Sequence, residues 1–130
     1  MCGIAGILDF KGKKLNKSLM GLITNKMIHR GPDGFGVFQN KESNLILGHR
    51  RLSIIDLTKN ASQPMTLLDR YTITFNGEIY NYLELKSKLK KIGWKFNSDS
   101  DTEVLLKCYI EFGSDCLKLL DGMFAFAIWD

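Results

Sequence analysis

An α+β fold, with helices layered on antiparallel sheets, is predicted by three features of the sequence. The elements run strand, helix, several strands, helix, strand, helices, strand, with hairpin-like neighbours instead of regular β-α-β alternation. Stretches of helical apolar spacing stand beside short apolar runs of strand length. Hydrophobic residues at 45% and charged residues at 25% of 130 residues are ordinary globular values, enough for the core of a single domain.

Taken in order, the apolar and branched run Gly3 to Phe10 predicts a buried strand at the very start of the chain. Leu15, Leu19, Leu22, Ile23 and Met27 then recur at helical spacing, which predicts an amphipathic helix to about His29. "RGPDGFG" stops it, because proline and glycine forbid its continuation. Two strands follow, "GVFQ" and "NLILGHRRLSII", joined by a polar turn at residues 40–44, and "DLTKNASQPM" reads as a loop.

"YTITFNGEIYNY" looks at first like a hairpin, since Asn-Gly between apolar runs is a strong turn signal, a reading that the resemblance given below makes the lesser one. Leu83, Leu85, Leu89 and Ile92 fit a helix that Gly93 ends, and "WKFNS" reads as a short strand. Ser100 and Glu103 form a capping box. It opens a helix that buries Val104, Leu105, Cys108, Tyr109 and Phe112, and a short helix over residues 114–120 comes next. "GMFAFAIWD" is a buried strand with no closing turn behind it, so the domain is expected to lack a partner strand.

Several classes of function are disfavoured. No apolar run approaches the roughly 20 residues of a membrane span, and the start lacks the layout of a signal peptide, so a cytoplasmic protein is expected. Cys2, Cys108 and Cys116 are an odd set without metal-ligand spacing, and neither His29 nor His49 completes a zinc site. The net charge of +4 rests on "KGKKLNK" and "KSKLKK", which carry no aromatic stacking pattern, so nucleic acid is not an expected partner.

Cys2 raises the chemical question. If Met1 is removed, one residue carries a thiol and a free α-amine. The amine, with a pKa of about 7.7–8.0, is basic enough to take up the thiol proton, directly or through a water. A buried cysteine in a strand accounts for the same residue. A cysteine–histidine pair is the rival mechanism, but nothing in the sequence joins His29 or His49 to a cysteine, and His29 suits the end of a helix. Asn76-Gly77 offers an amide and an approachable backbone N–H to an oxyanion, or else a plain turn. Arg50 or Arg51 suits a carboxylate, and Glu78 and Asp101 suit an ammonium. Surface charge, a strand-edge acid and a helix-start acid are the alternatives for these residues.

Taken together, "MCGIAGI", "HRGPDG", "RLSIID", "NGEIYN" and "SDSDTEV", in this order, closely resemble the N-terminal glutaminase domain of asparagine synthetases. That domain is a class II glutamine amidotransferase of the N-terminal-nucleophile hydrolases, and the likeness runs from Cys2 to about Trp129. It implies a four-layer α-β-β-α sandwich of antiparallel sheets, with residues 1–130 forming a partial domain that lacks the later strands. It implies that Cys2 is the nucleophile and its α-amine the base, with Asn76 and Gly77 as the oxyanion hole. Arg51 would bind the glutamine α-carboxylate, Glu78 and Asp101 its ammonium, and the backbone around Leu52 and Ile54 would line the pocket. Arg50 is not demanded by the motif.

The expected reaction is glutamine hydrolysis through a thioester, with ammonia passed on to activated aspartate. The ATP-dependent synthetase module, with its ATP and magnesium, is absent from this sequence, so it is an expected partner in cis or in trans. No cofactor or metal is expected in the chain itself, and a homo-oligomer is. The alternative is a catalytically silent module that acts through self-association or a partner chain along the edge beside Met123 to Trp129.

Overall fold

In the computed structural model, which describes residues 2–130, six strands form two antiparallel sheets with helices on both outer sides. The first sheet has the order β1-β3-β2, from β1 (Gly3–Leu8), β2 (Gly34–Gln39) and β3 (Leu45–Arg51). The second has the order β4-β5-β6, from β4 (Met65–Leu67), β5 (Tyr71–Ile79) and β6 (Gly122–Trp129). Helix α1 (Lys17–Lys26) packs on the first sheet. Helices α2 (Tyr82–Lys91) and α3 (Asp101–Phe112) pack on each other, and α3 covers β5. The sheets meet through β1, β3 and β5, so the four layers run α-β-β-α as the resemblance implies.

The larger core lies between the second sheet and α2 and α3, around Ile73, Phe75, Ile79, Leu85, Leu89, Val104, Leu105 and Cys108. Asp101 begins α3, where the Ser100 hydroxyl accepts the Glu103 N–H at 3.3 Å as an N-cap. The returning half of the box differs from expectation. The Glu103 carboxylate reaches past Ser100 to the N–H groups of Asn97 (3.0 Å) and Ser98 (2.7 Å) and also pairs with Lys107. Burial pushes its carboxyl up, but these bonds outweigh it and hold the group below the ordinary carboxylate range.

Two polar bonds cross between the sheets. The Thr74 hydroxyl donates to the Gly48 carbonyl at 3.2 Å, and His49 Nε2 lies 3.1 Å from the Phe75 carbonyl.

Several sequence expectations need correction. The Asn76-Gly77 hairpin does not form. β5 runs straight through both residues because β6 pairs along it from Thr72↔Trp129 to Ile79↔Gly122. The hairpin lies upstream at Leu68 and Asp69, both at positive φ, with Arg70 N–H closing on the Leu67 carbonyl at 3.2 Å. Its first strand, β4, falls at the end of the expected loop. "WKFNS" forms no strand, and residues 113–119 are a 3-10 helix.

Helix α1 ends at Lys26, leaving His29 in a turn, and it buries Met20 and Thr24 while Leu19 and Leu22 stay exposed. Gly48 sets that face. A Cβ there would lie 2.5 Å from Met20 Sδ and 2.8 Å from Thr24 Cγ2, so only glycine lets the helix settle so close. Neither end strand is fully buried: β1 buries only Gly3, and β6 alternates half-buried and exposed positions along a sheet edge. In α3, Phe112 is exposed, and in α2 so is Leu83.

Candidate active site

The antiparallel register of β1 and β3 pairs Gly3 with Arg50, which brings the residue before Gly3 beside the end of β3. The Cys2 thiol, half-buried, lies 3.6 Å from the Leu52 carbonyl and 3.4 Å from the Leu52 N–H. Arg30 Nε donates to the Cys2 carbonyl at 3.0 Å. Asp33 fixes the other side of the same corner. Its N–H donates to the Arg51 carbonyl at 3.0 Å and its carboxylate accepts the Ser53 N–H at 2.7 Å. Between them Gly31 lies against the Arg50–Arg51 peptide, 2.5 Å from the Arg50 carbonyl carbon to where a Cβ would sit. "HRGPDG" is therefore more than a helix stop, because it braces the thiol-bearing residue and the start of the loop after β3.

Cys2 opens onto a cleft of about 140 Å³ lined also by Arg51, Leu52, Ile54, Gly77, Glu78 and Asp101. Every site residue predicted from the sequence lines it except Asn76, which sits next to Gly77 on β5. The Asn76 side-chain oxygen is buried without a hydrogen-bond partner among the described residues. Gly77 has φ +152, and a Cβ there would fall 2.6 Å from Phe124 Cα of β6, so the position requires glycine.

The charges are arranged around the cleft. The Arg51 guanidinium donates to the carbonyls of Asp56 and Thr58, the latter at 3.0 Å, and so brackets the loop while lining the site. Two bonds leave it further N–H donors. Asp101, 5% exposed, accepts the Ile79 N–H at 3.1 Å, and Glu78 stands exposed nearby. Burial pushes the Asp101 carboxyl above its ordinary value, the Ile79 and Thr102 N–H groups oppose that, and the Glu78 charge adds to it. Ile54 is 72% exposed at the mouth. Arg50 belongs elsewhere, donating to the Thr24 carbonyl at 2.9 Å and tying β3 to α1.

His49 is fully buried and bonds the Phe75 carbonyl, with Nδ1 unpaired among the described residues, and burial pushes its pKa down to about 4. It makes no hydrogen bond to Cys2. Removal of Met1, on which a free α-amine at Cys2 depends, lies outside the described residues. Sequence reasoning missed Gln63 and Thr102, which line the cleft, and Arg30 and Asp33, which brace Cys2 and Ser53 beside it, although "HRGPDG" and "SQPM" are the stretches that carry three of them. Among the described residues, no group of three or more His, Cys, Asp or Glu side chains is placed to hold a metal ion. No described helix is long and apolar enough to cross a membrane.

The cleft thus sets a thiol beside one cation, Arg51, and three acids, Asp56, Glu78 and Asp101. The chain belongs to the glutamine amidotransferase domain family, whose model matches residues 1–130. Within that class, relatives at about 40% identity include asparagine synthetases. It is 43% identical to asparagine synthetase [glutamine-hydrolyzing] 3 of Bacillus subtilis, over the whole chain and 21% of that protein. It is 42% identical to putative asparagine synthetase [glutamine-hydrolyzing] 2 of Methanocaldococcus jannaschii, again over the whole chain and 28% of that protein. The chain thus spans about a fifth to a quarter of these relatives. The glutamine phosphoribosylpyrophosphate amidotransferase of B. subtilis superposes with TM-score 0.75 at 24% identity, covering 96% of this chain and 34% of that one. That likeness supports the sandwich fold.

Proposed function

We propose that this chain is the glutamine-hydrolysing unit of an asparagine synthetase. The Cys2 thiolate attacks the side-chain carboxamide carbon of glutamine, with the α-amine freed by removal of Met1 taking up the thiol proton. The oxyanion forms against the Asn76 amide and the Gly77 N–H. The C–N bond then breaks, the proton passes to the departing ammonia, and water cleaves the remaining thioester to give glutamate. Arg51 holds the α-carboxylate, Glu78 and Asp101 hold the α-ammonium, and the backbone at Leu52 and Ile54 forms the wall.

One observation carries this reading: the Cys2 thiol shares a single cleft with Arg51, Glu78 and Asp101. The ammonia goes to an ATP-dependent synthetase module, in cis or in trans, that activates aspartate with ATP and magnesium. We place the protein in the cytoplasm and expect a homo-oligomer; the three unpaired cysteines accord with a reducing compartment.

The test is intact-mass analysis with a glutamine-shaped electrophile such as its diazoketone analogue. A single adduct at Cys2, blocked by excess glutamine and absent in Cys2→Ala, is expected. No selective adduct would sink the proposal. A second reading is favoured by β6, which pairs with β5 on one side only and exposes 68% of Met123. In it the chain is a silent module that associates through that edge. Concentration-dependent oligomerisation without ammonia release would support it.

A further inference from the structure

The strand that carries Asn76 and Gly77 is left without a strand neighbour on one side just before those residues. β4 pairs with β5 only from Tyr71 to Ile73. At Phe75 two side chains take over the work of the missing backbone. Gln63 Oε1 accepts the Phe75 N–H at 2.7 Å, and His49 Nε2 meets the Phe75 carbonyl at 3.1 Å.

Gln63 has a second grip. Its Nε2 donates to the Thr102 hydroxyl at 3.1 Å, one residue beyond Asp101 at the start of α3. One buried amide therefore joins the residue before Asn76 to the residue after Asp101. Gln63 itself has little freedom. Its backbone lies against Gly36 of β2, where a Cβ would come within 3.0 Å of the Gln63 carbonyl carbon. Its side chain lines the cleft.

We propose that Gln63 is a positioning residue for the Cys2 chemistry: its side-chain amide sets the distance between the β5 oxyanion segment and the start of α3. This rests on the glutamine-hydrolysis reading above. A displacement of about an ångström in such a segment is enough to slow a reaction about 100-fold. Because Gln63 bonds the β5 backbone directly, whereas Asp101 is held separately by the Ile79 N–H, its loss bears first on where the developing charge is met and lowers the maximal rate more than ground-state affinity.

The experiment follows the rate of Cys2 modification by the diazoketone analogue of glutamine, resolved into a maximal rate and a half-saturating concentration. Each variant is measured well below its own melting temperature. Gln63→Leu keeps the bulk and loses both bonds, and it is expected to lower the maximal rate about tenfold or more. Thr102→Val keeps the shape and loses one bond, so a loss of about fivefold is expected, and Thr102→Ser, which keeps the hydroxyl, stays within about twofold of the unaltered chain. In each case the half-saturating concentration changes less than about twofold.

The role is overturned if folded Gln63→Leu and Thr102→Val react at the unaltered rate, or if only the half-saturating concentration moves. It is overturned equally if Thr102→Ser is as slow as Thr102→Val. Should Gln63→Leu not fold, the Thr102 pair decides alone. An unaltered chain that gives no adduct at Cys2 overturns the glutamine-hydrolysis reading and the Gln63 role together. An unaltered chain that reacts beside unaffected variants overturns the Gln63 role alone.

Discussion

The sulfur of Cys2 sits against both backbone polar groups of Leu52, 3.4 Å from its N–H and 3.6 Å from its carbonyl. Fifty residues apart in sequence, the two are brought together by the register of β1 on β3. The contact holds the thiol at the cleft while leaving it partly open to solvent.

That placement sets Cys2 apart from the other two thiols. Cys108 is wholly buried, and burial pushes its thiol up to about 12, while Cys116 is raised for the same reason. With a disulfide reagent near pH 8, one thiol is expected to react promptly in the native chain and all three in denaturant. Mass mapping of the fast site to Cys108 or Cys116 would contradict the packing of α3 or of the 3-10 helix that follows it.

The strand through Gly77 makes a second demand. Gly77→Ala puts a Cβ against the β6 backbone at a φ of +152, with an expected cost of about 1–3 kcal/mol. Urea unfolding measures it, and the glutamine analogue should react more slowly at Cys2 as well. An alanine variant of unchanged stability and reactivity would mean that β6 does not pack there as described.

His49 gives the fold a pH dependence of definite sign. The unfolded chain takes a proton on this ring below about 6.5, whereas in the folded chain its pKa is about 4. Stability is therefore unaffected by His49 above that window and falls as pH drops through it, by about 3 kcal/mol in all. His49→Gln should flatten this part of the profile, as measured by urea titrations at pH 7.5 and 4.5. Parallel profiles for the two proteins would refute the burial argument.

Asp101 is shifted in the opposite sense. Burial and the neighbouring Glu78 charge raise Asp101, so the analogue's affinity should begin to fail on acidification above the usual aspartate range. Glu78→Gln removes the like charge. It is expected to weaken binding and to move that acid limb to lower pH. A limb that stays in place would show that Glu78 does not act on Asp101.

Much of this arrangement was legible in the chain. Most of the element order and the Ser100 cap follow from periodicity and capping, whereas the cluster of Cys2, Arg51, Glu78 and Asp101 is implied by the family resemblance, and all four of these residues meet at one cleft. The hairpin at Asn76-Gly77 was misread because a local turn preference lost to long-range pairing with β6, more than forty residues downstream. The true turn at Leu68-Asp69 has neither glycine nor asparagine to announce it. The buried face of α1 was hidden for a different reason, since it depends on the space left by Gly48 on another element. Gln63 leaves no periodic trace at all, because a side chain that substitutes for a strand neighbour is recognisable only once the neighbour is seen to be missing.

The bonds from Thr74 to Gly48 and from His49 to Phe75 act as a pair of rivets through an otherwise greasy seam. Sliding one sheet over the other by a single residue, about 3.3 Å, would tear both and strand their polar groups out of reach of water. The sandwich is thereby locked against shear. Any opening of the cleft that keeps both bonds must then come from its lining outside the seam, such as residues 52–56 after β3.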